Sequence, residues 1–174
     1  MKRVAFVFSF GIVAAVFLFL PIHQVFSFTE IRTNHPEKFY INISDENVFQ
    51  IRYTHSIHLT DVLETYEIAD ANNLKLVSME YEDVSIGMPA YAEKGETLAY
   101  EDGRYILSFE DKVLSDFTLY VGDIDLDLYF LYDDQSYNLK SFLQRGKSYL
   151  FEIKKVSLIE KWKGAVFDHG EAAE

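Results

Sequence analysis

The chain has 174 residues, a formal net charge of −12 and no cysteine. This length suits a single hydrophobic core. The negative charge opposes binding to nucleic acid or to an anionic membrane surface, and the missing cysteine excludes disulfides and an N-terminal lipoprotein anchor. The 12 Tyr and 15 Phe, set against 3 Pro and 8 Gly, suit strands and argue against a disordered tail.

The chain begins with Lys2 and Arg3, followed by an uncharged apolar run from Val4 to Ile22. As a helix this run would be about 28 Å long, close to the hydrocarbon thickness of a bilayer. The positive-inside bias keeps Lys2 and Arg3 cytoplasmic and sends the rest outward. All 28 acidic residues lie beyond residue 28, on that outward side. Two fates fit the run: a retained single-pass anchor, or a signal cleaved near Ser27 and a secreted domain. The expected organisation is an anchor or signal at 1–28, a tether at 29–38, a β-rich extracytoplasmic domain at 39–158 and a polar tail at 159–174, where Trp162 could serve as an anchor.

Beyond the leader, strands are expected at Phe39–Ile43 and at Phe49–His55, where Phe49, Ile51, Tyr53 and His55 alternate with polar residues. Another is expected from Asp61, with Val62, Glu64, Tyr66 and Ile68 on one face. Residues 69–73 read as a turn or short helical link. Leu74–Tyr81 is again extended, with Leu74 and Leu76 facing one way and Val77, Met79 and Tyr81 the other. Gly87-Met88-Pro89 is a corner, and Ala90–Gly103 reads as a long polar loop. Strands follow at Arg104–Glu110, Leu114–Val121, Leu126–Tyr132 and Tyr149–Val156, with a turn at Asp133–Ser136. Residues 141–146 close a strand or form one helical turn. The count of eight or nine short strands predicts an all-β, sandwich-like or partly closed barrel fold.

Polar residues concentrate at His55, Ser56, His58 and Glu64. A hydrolase built on Ser56 is weakly supported, because adjacent strand residues point to opposite faces and no nucleophile elbow is present. His55, His58 and Glu64 are candidate metal ligands, though with no specific spacing. A carboxylate on an apolar strand face, as Glu64 is, requires a partner; His55, Arg52 or backbone N–H groups are candidates. Asp123, Asp125 and Asp127 share one face if extended, and could gather a cation if looped. Gly87, Met88, Pro89 and Tyr91 form either a rigid corner or a ligand rim. No cofactor motif is present.

Tyr53-Thr54-His55-Ser56-Ile57, then Glu64-Thr65-Tyr66, then Gly87-Met88-Pro89 resembles the DUF1850 family of uncharacterised bacterial proteins, over Val48 to Val156. Members of that family are often encoded beside TRAP transporters of the TAXI type, which take up small organic solutes. The resemblance implies an accessory or interaction module, with a TRAP permease or its solute-binding protein as the expected partner. It brings no catalytic assignment. A small-ligand or cation-binding module and an envelope hydrolase are the alternative readings.

Overall fold

The computed structural model describes residues 17–84, 86–167 and 171–172. Positions 4–16 of the expected anchor lie outside the described residues. Of the remainder of that run, residues 17–19 are helical, and no helix among the described residues is long and apolar enough to cross a membrane.

Alternating apolar residues produce a mostly-β chain. Its strands are β1 (His23–Glu30), β2 (Lys38–Asn42), β3 (Val48–Thr54), β4 (Asp61–Ile68), β5 (Leu74–Tyr81), β6 (Glu96–Glu101), β7 (Arg104–Leu114), β8 (Asp116–Tyr120), β9 (Leu128–Tyr132), β10 (Gln135–Asn138), β11 (Ser148–Val156), β12 (Ala165–Val166) and β13 (Glu171–Ala172). They form a sandwich of two sheets, ordered β12-β2-β1-β11-β8 and β13-β10-β9-β3-β4-β5-β7-β6. A short helix, α1 (Leu158–Lys163), begins with a capping box in which the Ser157 side chain accepts from the Glu160 N–H and the Glu160 side chain accepts from the Ser157 N–H.

The aromatic composition is explained by the core. Phe26 of β1 meets Phe49, Phe130 and Tyr132 of the larger sheet edge-on, each with ring centroids 4.9 Å apart. It also stacks on Phe151 of its own sheet at 5.9 Å. Such edge-to-face contacts suit the ring quadrupole. On the outer face of the smaller sheet, Val25, Tyr40 and Val156 form a second cluster, and the Gly164 backbone lies so close to the Tyr40 ring that no Cβ would fit.

Besides β10, whose first two residues fall within the expected turn at 133–136, the structure departs from the sequence reading in four places. First, β1 occupies 23–30, within the stretch divided above between leader and tether. It pairs antiparallel with β2 on one side and β11 on the other, and Val25, Phe26, Ser27 and Phe28 are all fully buried. Residues 31–37 are therefore the connection between two paired strands, not a free tether. Second, the expected loop at 90–103 contains β6, joined to β7 by an Asp102-Gly103 turn with φ of 49° and 84°, the left-handed pair of a tight hairpin. Third, β5 carries an extra residue, Val77, opposite the Thr65–Tyr66 step of β4. The extra residue resets the alternation, so Leu74, Leu76 and Tyr81 all enter one core. Fourth, the expected polar tail holds α1 and β12 and buries Phe167 against Phe28 and Phe39, whereas Trp162 is 93% exposed.

Candidate functional site

The β3–β4 hairpin places the central side chain. Register pairs Ile51 with Phe130 and with Glu64, Glu64 with Met79, Met79 with Leu107, and Leu107 with Leu98. Paired residues point to the same face, so Glu64 interrupts a row of otherwise apolar side chains across the inner face of the larger sheet. Ile51, Phe130 and Leu107 in that row are at most 1% exposed.

Glu64 finds its partners two residues away along each strand. The Tyr66 hydroxyl donates to its Oε2 at 2.6 Å, and the Tyr53 hydroxyl donates more weakly to its Oε1 at 3.4 Å. Burial pushes the Glu64 carboxyl above the usual glutamate range, while the two phenols and the more distant Lys112 pull it back. Burial, followed by the negative charge of Glu64, pushes both phenols up, so they remain protonated donors. The Tyr66 ring stacks on Phe49 at 5.1 Å and on Phe117 at 5.5 Å, which fixes the aim of its hydroxyl. The partners proposed from sequence, His55 and Arg52, are not the ones used: Arg52 lies over the Tyr129 ring, 4.9 Å from its centroid.

Glu64 faces a cleft of about 560 Å³ at the edge of the smaller sheet. Phe117, Leu119, Leu126 and Leu128 supply apolar walls, and Thr54, His55, Ser56, Asp127 and Lys140 line it as well. Lys140 escaped the sequence reading. Its ammonium donates to the Ile124 carbonyl at 2.8 Å and also to the Leu126 carbonyl. Burial, then Arg145, lowers its pKa, while Asp125 and Asp127 oppose that shift.

The remaining candidates separate. The His55 imidazole caps its own turn: Nδ1 accepts long hydrogen bonds from the Ile57 and His58 N–H groups, both 3.4 Å. That leaves no free lone pair for activating Ser56, which is exposed. His58 stacks on His55 at 4.7 Å and lies 3.6 Å from Asp83. Gly87, Met88, Pro89 and Tyr91 line a neighbouring cleft of about 500 Å³ together with Met79, Phe109 and Lys112. The corner is tied down by the Tyr81 hydroxyl, which donates to the Pro89 carbonyl at 2.7 Å. Gly87, at φ +89°, touches the first site because a Cβ there would lie 3.7 Å from His55 Nε2. Asp123, Asp125 and Asp127 sit in a loop, and Asp125 pairs with Arg145 at 3.1 Å. Among the described residues no three His, Asp or Glu side chains are gathered to hold a metal ion.

The fold and cleft define a β-sandwich domain with an inward-facing carboxylate, Glu64, held by two tyrosines. The chain belongs to the family described as domain of unknown function (DUF1850), whose model matches residues 49–139. The match runs from β3 into the turn after β10 and contains every cleft residue named above except Lys140; β1, β2 and β11 lie outside it. No curated protein and no solved structure matches the chain.

Proposed function

We propose that the chain is an extracytoplasmic accessory module that binds a small molecule in the Glu64 cleft. The observation that carries this reading is the make-up of the cleft. Its volume, about 560 Å³, lies within the range of small-ligand sites, roughly 300–1,000 Å³, and apolar walls with a few converging polar groups are their usual lining. The uncharged run from Val4 to Ile22 after Lys2 and Arg3 supports a membrane-held position outside the cytoplasmic membrane. The family resemblance supports a place beside TAXI-type TRAP solute uptake.

Native mass spectrometry of the full chain, purified in mild detergent, tests the ligand reading. A noncovalent small-molecule adduct is expected, and Leu119→Trp, which enlarges a half-buried, inward-facing side chain of the cleft wall, should abolish it. An adduct that persists unchanged in the variant would move the ligand elsewhere.

A protein docked over the cleft is the second reading. It is favoured by Tyr120 and Ile124, which line the cleft and are 60% and 50% exposed. Co-purification from membranes should then enrich a permease or solute receptor. Enrichment of neither removes the transport association.

A further inference from the structure

We propose that the cleft selects an organic cation, a molecule with an ammonium-type nitrogen head and an apolar body. The proposal rests on the ligand-binding reading above and names its ligand class. The argument is a census of charge facing the cleft. The fixed charges on its lining are those of Glu64, Asp127 and Lys140. The positive one is outnumbered, and the Lys140 ammonium spends two of its three N–H groups on the Ile124 and Leu126 carbonyls. Of the negative ones, Glu64 has no ion-pair partner among the described residues.

The two phenols give Glu64 one proton each. A carboxylate offers about four lone-pair sites, so acceptor capacity remains. Lys112 acts on it only from a distance, its ammonium lying over the Phe109 ring at 4.4 Å beside the neighbouring cleft. A carboxylate largely withdrawn from water is stabilised most by a charged donor, and at Glu64 the protein supplies neutral ones. An incoming ammonium would complete the set. An incoming carboxylate would instead meet two like charges, Glu64 and Asp127, against the single ammonium of Lys140. A bare metal ion would find a single half-buried carboxylate, Glu64, where several ligands are needed. Phe117, Leu119, Leu126 and Leu128 then suit a hydrocarbon or aromatic body behind the head.

Three probes of similar shape and different charge test this: phenethylamine, 2-phenylethanol and 3-phenylpropionate, titrated calorimetrically into the full chain in nonionic detergent. Phenethylamine should bind about tenfold or more tightly than the alcohol, the margin of a charge-assisted contact, and phenylpropionate most weakly. Glu64→Gln should bring the amine to the affinity of the alcohol, and the unfolding transition of the variant checks that it is folded. Tyr53→Phe, which leaves the carboxylate in place, should retain the order amine, alcohol, acid. Equal binding of all three probes, unchanged in Glu64→Gln, would overturn cation selection and leave the ligand-binding reading standing. If none of the three binds, both fall.

Discussion

Tyr66→Phe removes one oxygen atom and keeps a ring that is 4% exposed and stacked between neighbours. The lost interaction is the 2.6 Å bond to Glu64. A hydrogen bond to a charged group contributes about 1.5–3 kcal/mol, a neutral one about 0.5–1.5. At neutral pH the variant should therefore lose about 1.5–3 kcal/mol, which lowers Tm by roughly 3–12 °C in a chain of this size. The loss should shrink in acid. The Glu64 carboxyl is raised above its ordinary value of 4.5, so near pH 4 it is protonated in the folded and largely so in the unfolded chain, and the phenol then meets a neutral partner. Thermal unfolding followed by circular dichroism at about pH 7 and about pH 4 measures both differences. A Tm drop that is equal at the two pH values, or absent at both, would refute the phenol–carboxylate pairing.

Glu64→Gln should act in the opposite sense. A folded pKa raised above 4.5 means that stability linked to this group is present in acid and is lost as pH rises through the folded value, so the neutral amide should equal or exceed the parent Tm at pH 7 and lose that advantage near pH 4; a large loss at pH 7 would make the charged carboxylate structural. Lys140→Met removes the donor that ties the 122–127 loop to the domain through the Ile124 and Leu126 carbonyls; limited proteolysis should cut that loop faster, with a stability loss of about 1 kcal/mol. A chain starting at His23 should fold and one starting at Phe28 should not, since the latter lacks most of β1; near-UV circular dichroism separates the two.

Several strands legible in the sequence have one wet and one dry face, although β2, with Tyr40 and Ile41 buried on opposite faces, is legible from its apolar run alone. β3, β4 and β11 alternate and were placed to within a residue or two. β1 was hidden because Val25 to Phe28 is buried on both faces; it shows no alternation and runs on from an apolar leader. β6 was legible in principle, since Asp102-Gly103 lies between Leu98 and Tyr100 on one side and Tyr105 and Leu107 on the other, a strong hairpin signal, but the charges around it read as a loop. In the site, Glu64 stood out as a carboxylate on an apolar face. Its partners did not, because pairing Glu64 with both Tyr53 and Tyr66 requires the β3–β4 register as well as the spacing within β4. Lys140 was invisible for a different reason: its partners are backbone carbonyls, which no residue type encodes.

The register of β1 also bears on the order in which the domain can be assembled. His23 pairs with Val156 and Glu30 with Tyr149, so the first strand to be synthesised waits for one of the last. The β3–β7 hairpins can form as they emerge, but the smaller sheet closes only when β11 arrives, and contacts so distant along the chain form slowly. Until then Phe26 and Phe28 lack the Phe151 ring against which they pack. If the domain is exported in sequence order, it crosses as an unfinished sandwich with Phe26 and Phe28 still without the Phe151 ring, and β11, followed among the described strands only by the short β12 and β13, is the one that closes it.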